Sequence, residues 1–180
     1  FMRNLQEFHN LSEKKSIEAY SGLAFRQLKI DEYTQKNWNY IQEKVFILSA
    51  FYGITCGTCK IKKHRLDFSI KLFEDVSLYK FWSEYVNSFF SENETIINLA
   101  SSEYSKLIDK KRVDFINIDF YENKELKQIS ANSKKARGEM LNLLIKNQIE
   151  NIKVIKTLKL KEYSYNRELS SNNNLVFIKD

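Results

Sequence analysis

Val113-Asp114-Phe115-Ile116-Asn117-Ile118-Asp119-Phe120-Tyr121 is the run on which the fold turns. Rich in β-branched and aromatic residues, it reads as a strand, and a turn at Asn123-Lys124 leads to Leu126-Lys127-Gln128-Ile129, which reads as its hairpin partner. A helix follows at once. Ser133 stands as its N-cap, and Met140, Leu141, Leu144, Ile145 and Ile149 recur at helical spacing.

The same mixture extends to either side. Thr95-Ile96-Ile97-Asn98-Leu99 reads as a second buried strand that ends in a strand-to-helix turn, Ala100-Ser101-Ser102-Glu103-Tyr104. Val45-Phe46-Ile47-Leu48 is a short apolar run suited to a buried strand, with Gly53 ending it. Between them Ser77 caps a helix whose Leu78, Phe81, Trp82, Tyr85, Val86, Phe89 and Phe90 follow the i, i+3, i+4, i+7 pattern, so this aromatic stripe reads as core. Upstream, Asp31 is the expected cap of a helix running to about Lys44, and residues 4–19 read as short helical pieces. Downstream, 152–158 is ambiguous, while Tyr163, Tyr165 and 175–178 suggest a closing strand across the polar turn 170–174. The expected fold is α/β or α+β: a mixed β-sheet covered by helices, one compact domain over 1–180, with a basic cleft.

Composition narrows the function classes. Hydrophobic residues make up 43% and aromatics 14%, which is globular rather than disordered. A net charge of +6 mildly favours polyanionic partners. No apolar run approaches the roughly 20 residues of a membrane span, and Phe1-Met2-Arg3-Asn4-Leu5 has no following apolar stretch of the kind a signal peptide carries. The chain is therefore expected to be cytoplasmic, without a membrane partner. P-loop, G-x-G-x-x-G and HExxH motifs are absent from the sequence. With two His, two Cys and no carboxylate/His ligand spacing, it argues against iron storage and offers no metal or cofactor site.

Charge then marks a candidate site. In Ser133-Lys134-Lys135-Ala136-Arg137-Gly138 three cations crowd what reads as the first turn of a helix. Each costs roughly 0.3–1 kcal/mol there unless an anion shares the site. Helix N–H groups beside Lys134, Lys135 and Arg137 would make a phosphate or carboxylate site, and Gly138 lets another backbone or a ligand come close. The competing reading is a solvated basic turn paired with nearby acids. Lys60, Lys62, Lys63, His64 and Arg65 form a second basic cluster, of which Arg65 is the candidate anion ligand. The hydroxyl turn Ser101-Ser102 is the third element, and Glu103 and Tyr104 are weak candidates for acid/base catalysis beside it. Cys56-Gly57-Thr58-Cys59 offers either a redox dithiol or half of a zinc site; without a second ligand pair, it reads as two incidental thiols.

Several of these stretches share one resemblance. Lys134-Lys135-Ala136-Arg137-Gly138-Glu139-Met140 resembles the KKARG-M signature of the YaaA family of bacterial peroxide-stress proteins. The run from Ile97 to Tyr104 is similar to its INLAS-EY block, 46–53 to its ILSGLYG, and Arg65-Leu66-Asp67 to its RLE. The match runs in order from about Ala19 to Phe177. The family's N-terminal strand with its SPAK motif finds no counterpart, so the N-terminal part of the family domain is expected to be missing. The resemblance implies a cytoplasmic protein of the hydrogen-peroxide response that limits oxidative damage by lowering free iron, with a basic cleft able to bind DNA. It implies no role for the cysteines, which the family lacks. The alternative is an enzyme acting on a phosphorylated or carboxylated small molecule, with Arg65, Lys135 and Arg137 as the clamp.

Overall fold

A computed structural model describes residues 5–64, 66–73, 76–123 and 125–179. In chain order the elements are α1 (Leu5–Asn10), β1 (Glu13–Lys15), α2 (Ser16–Ala19), α3 (Gln35–Lys44), β2 (Phe46–Ser49), β3 (Gly53–Cys56), β4 (Lys60–Lys62), β5 (Lys71–Phe73), β6 (Val76–Ser77) and α4 (Leu78–Ser88). Then come β7 (Thr95–Asn98), α5 (Ser102–Ser105), β8 (Asp114–Tyr121), α6 (Ser130–Asn147), α7 (Ile152–Ile155), β9 (Tyr163–Asn166) and β10 (Asn174–Lys179). The fold is mixed α/β.

The central sheet runs β7-β8-β10-β9. β8 pairs in parallel with both β7 and β10, and β9 closes the edge antiparallel to β10. β8 is therefore an interior strand, and the expected hairpin with 126–129 does not form. Between the described residues, the Glu122 N–H donates to the Lys127 carbonyl at 2.8 Å, and no ladder follows. A local turn signal is outweighed by two long parallel ladders. The closing pair across 170–174 forms as expected, with Phe177 opposite Tyr165.

Side chains alternate across β8 because a strand has period two. Ile116, Ile118 and Phe120 face Ala136, Met140 and Leu144 of α6, together with Leu175 and Phe177 of β10. Burying each such side chain is worth roughly 1.5–3 kcal/mol. A second core gathers Leu78 and Val86 of α4, with Phe90 just past its end, around Phe115, Ile54 and Phe68. A third packs Ile145 of α6 on Ile17, Ile41, Val45 and Ile47. α6 thus has two apolar faces and is the spine of the molecule.

Several local expectations are corrected. The α3 helix starts not at Asp31 but after Thr34, whose hydroxyl accepts the Asn37 N–H while the Asn37 side chain returns the bond, a reciprocal capping box. Asp31 sits in a separate 3-10 turn at Ile30–Glu32. Gly53 does not terminate a lone strand. It opens β3, which folds back antiparallel on β2, and its φ of +72° is open to glycine without strain. The Trp82 ring covers Gly53, while the Trp82 indole N–H donates to the Ala50 carbonyl at 2.9 Å, so α4 pins the hairpin turn. Ser77 does cap α4, accepting the Lys80 N–H. Yet the aromatic stripe is split: Leu78, Val86 and Phe90 are buried, whereas Phe81, Tyr85 and Phe89 stand about half exposed. The two cysteines are not separate thiols but a Cys56–Cys59 disulfide. Among the described residues no helix is long and apolar enough to cross a membrane.

Candidate anion-binding cleft

Asn98, Asn117 and Asn174 lie directly opposite one another on β7, β8 and β10. Their amides are linked across the strands: Asn98 Nδ2 donates to Asn117 Oδ1 at 2.7 Å, and Asn117 Nδ2 to Asn174 Oδ1 at 3.2 Å. Asn98 also accepts the Ala100 N–H at 3.0 Å, which folds the chain sharply after β7 and sets the position of Ser101. Asn117 and Asn174 of this row line a cleft of about 620 Å³, and Asn98 braces them from outside its lining. Its walls are Ala100, Ser101, Ser102 and Ser105 on one side and Ser130, Ser133, Lys134 and Arg137 of α6 on the other, with Lys110, Asp119 and Asn173 at the margin.

α6 approaches the cleft differently from the sequence reading. It begins at Ser130, so Ser133 is not a cap; its buried hydroxyl donates to the Phe120 carbonyl at 3.1 Å and ties the helix to β8. Lys134, Lys135 and Arg137 consequently lie in the second turn or just beyond, where the helix dipole has mostly faded. The cost expected of three cations at a helix end does not arise.

Arg137 reaches the cleft half-buried. Its Nε is sealed from solvent and has no hydrogen-bond partner among the described residues. Burial lowers its pKa below the ordinary arginine range, against the opposing pull of Asp119 and Tyr121, yet a guanidinium remains charged at any physiological pH. Burial, then Asp119, pushes the Tyr121 hydroxyl up in turn. The Lys110 ammonium lies 4.7 Å from the Phe115 ring centroid. Ser101 stands at the start of α5, and its side chain makes no capping bond. Three cations and one carboxylate, with several hydroxyls and amides, suit an anion that also carries hydrogen-bonding edges.

The sequence candidates divide. Ser101, Ser102, Lys134 and Arg137 line the cleft together. Lys135 does not; it is exposed elsewhere on α6, close enough to Glu162 to add to the lowering of that carboxyl's pKa, which the Lys179 hydrogen bond chiefly causes. Arg65 lies outside the described residues. Glu103 and Tyr104 do not line the cleft either. The Tyr104 ring meets Phe68 edge-on at 5.4 Å in the second core, and the Glu103 carbonyl accepts the Tyr79 hydroxyl at 3.1 Å. Burial, then Glu103 and Asp67, raises the Tyr104 pKa, so it is a poor general base. The sequence reading missed Asn117, Asn174, Asp119 and Lys110 on the lining, and Asn98, which holds Asn117 in place. Polar Asn117 and Asp119 inside an otherwise apolar strand were the available signal.

Two other places compete. A more open hollow of about 800 Å³ is lined by Lys14, Lys15, Lys29 and Lys60, but also by Glu13, Glu18, Asp31 and Glu32, so its charges cancel. Ser49 and His64 are arranged like a nucleophile and its base. His64 Nδ1 lies 3.1 Å from the Lys62 carbonyl, which can only accept, so Nδ1 carries the proton and Nε2 faces Ser49 Oγ at 3.2 Å. Ser49, however, is 3% exposed, and Phe51, Tyr52 and Tyr20 pack around the His64 ring. The pair braces the β2–β3 hairpin and admits no substrate. Among the described residues no cluster of three His, Cys, Asp or Glu is placed to hold a metal ion.

The chain is similar to known proteins over most of its length. A family model described as peroxide stress protein YaaA matches residues 1–169. A UPF0246 protein of Fusobacterium nucleatum is 38% identical over 97% of this chain and 73% of its own length. One from Francisella philomiragia is 36% identical, over 96% of this chain and 72% of its own. One from Rickettsia rickettsii is 34% identical, over 97% and 74%. The matched residues take in every element from α1 to β9, and the chain belongs to the family of the peroxide stress protein YaaA.

Proposed function

We propose that this chain acts in the peroxide response of the cytoplasm as a DNA-binding protein that holds phosphates in the Ser101–Lys134–Arg137 cleft, and that it limits oxidative damage by lowering free iron. Its family supports the peroxide role. One observation carries the binding site: Lys134, Arg137, Ser101 and Ser102 come from distant parts of the chain to one cleft, where Arg137 Nε has no partner among the described residues. Binding there goes to phosphate and sugar, so it discriminates little between sequences. Iron binding is not assigned to the chain itself: its two cysteines are tied to each other.

The enzyme reading has a specific point for it and one against. A volume near 620 Å³ falls among small-ligand pockets, which run about 300–1,000 Å³. Against it, Glu103 and Tyr104 lie away from the cleft, which leaves Asp119 as the carboxylate on its lining. Fluorescence anisotropy of a labelled duplex across a salt series decides between them. Nucleic-acid binding gives an affinity that falls linearly on log–log axes. A duplex left unbound at low salt, with inorganic phosphate still bound, gives the cleft to a small ligand.

A further inference from the structure

The Cys56–Cys59 bridge has no part in the cleft. We propose that it is a reversible dithiol–disulfide centre, closed by hydrogen peroxide and reopened by a dithiol reductant, whose closed form clamps the N-terminal end of α2. The bridge spans three residues. So short a ring constrains the unfolded chain less than a bridge across a long loop, which makes a purely stabilising role a weak reason for it.

Its surroundings fit exchange chemistry. Cys59 is exposed and Cys56 half-buried, so Cys59 is the more accessible residue of the pair. Lys60 adjoins Cys59 and pairs across the β1–β4 ladder with Lys15. Acids of the hollow they line balance these lysines, so it is the exposure of Cys59 that opens the bridge to exchange.

The bridged turn is also an acceptor platform. The Cys59 carbonyl takes the Ser16 N–H at 2.8 Å, and the Gly57 carbonyl takes the Ile17 N–H at 3.0 Å. The Cys56 carbonyl takes the Ser16 hydroxyl at 2.5 Å, and the Gly57 N–H donates to Val45 at 2.7 Å. Three consecutive contacts that hold the start of α2 therefore depend on the shape of the four-residue turn. Ile17 then inserts into the third core beside Ile145 of α6.

In the closing direction the Cys59 thiolate attacks a peroxide oxygen, the O–O bond breaks, and the departing hydroxide takes a proton to leave as water. The sulfenic acid on Cys59 is then attacked by Cys56; the S–O bond breaks and a second water leaves. Two thiols and one peroxide give one disulfide and two waters. In the opening direction a dithiol's thiolate attacks Cys59 Sγ and Cys56 departs as thiolate. The second thiol resolves the mixed disulfide, releasing reduced Cys59 and an oxidised reductant.

The test uses the whole chain. The protein is alkylated with N-ethylmaleimide in denaturant and weighed by mass spectrometry before native incubation with dithiothreitol, after it, and after removal of the dithiol and addition of hydrogen peroxide. The expected adduct counts are zero, two and zero. A bridge that resists the dithiol in the folded protein, or thiols that stay open after peroxide, overturns the proposal. Amide hydrogen exchange reads the clamp: reduction speeds exchange at Ser16 and Ile17 by roughly tenfold or more while Met140 and Ile145 keep their rates. The Cys56→Ser/Cys59→Ser variant shows the fast rates whatever the redox state. Equal rates in both forms, or acceleration spread evenly through α6, would make the bridge a passive staple and end the idea.

Discussion

The backbone of Ala24 packs against Gly138 so closely that no side chain fits between them: a Cβ on Gly138 would collide with the carbonyl oxygen, carbonyl carbon and Cα of Ala24. The glycine in the Lys134–Met140 block thus serves backbone packing one residue from Arg137, and it fixes where α6 lies against the Phe25–Gln27 turn. Neither backbone can yield cheaply. Gly138→Ala gains about 1 kcal/mol of helix propensity yet is expected to lose about 1–3 kcal/mol net through overpacking. Gly22→Ala is the control, because nothing lies within 4 Å of its Cβ position. Urea denaturation of both variants checks the contrast; equal midpoints would show that the close approach is not rigid.

The asparagine ladder makes a second prediction. Asn98→Ala removes the acceptor for the Ala100 N–H and the donor to Asn117, leaving buried polar groups unpaired. The expected loss is about 1–3 kcal/mol, with weaker binding in the cleft because the turn holding Ser101 loosens. A thermal midpoint equal to that of the parent protein would contradict it.

His64 gives a pH dependence. Burial depresses its pKa below the ordinary 6.5, against a smaller opposing effect of the Lys62 carbonyl. The folded state therefore disfavours the imidazolium, and below pH 6.5 the unfolded chain binds the extra proton first. Stability from this group is complete above about 6.5 and declines as the pH falls through the window below it. Glu32 and Glu162, lowered by hydrogen bonds from Lys146 and Lys179, act only further down, below the ordinary carboxyl range. Denaturant midpoints from pH 7 to pH 5 should fall more steeply in the parent than in His64→Phe. A parent protein that gains stability on acidification through that range would refute the assignment.

What the sequence revealed and what it hid follow from the range of the interactions. The strands at β7 and β8, the α4 cap at Ser77 and the closing β9–β10 pair are written in local pattern. The partner of β8 is not: Asn174 lies 57 residues from Asn117, and the parallel ladder that joins them leaves no mark near either. The Ser133 hydroxyl looked like a cap because it precedes a helical run, but its acceptor is the Phe120 carbonyl, which only the tertiary fold supplies. Periodicity placed Phe81, Tyr85 and Phe89 on an apolar stripe without saying that the stripe is wider than the core it meets. For the cleft, residue type pointed to Lys134 and Arg137. Which neighbouring cation turned away, as Lys135 does, depended on the helix's true start.

That difference between neighbouring cations supports the last prediction. Lys110, Lys134 and Arg137 line the cleft and Lys135 does not. If each lining cation neutralises one phosphate, it contributes about 0.9 to the slope of log affinity against log salt. Replacing all three with Ala should make the slope shallower by roughly two to three units and weaken binding alike for unrelated duplex sequences. Lys135→Ala should leave affinity within about twofold, because an isolated exposed charge at this salt is largely screened. Since α6 starts at Ser130, the triple change relieves no helix-end repulsion, and denaturant midpoints serve to confirm that the variants are folded. Anisotropy of a labelled duplex at several salt concentrations, with parent, triple variant and Lys135→Ala side by side, reads all of this. A triple variant with the parent's slope removes the cleft from the DNA interface, and a Lys135→Ala effect as large as the triple's would move the interface to the outer face of α6.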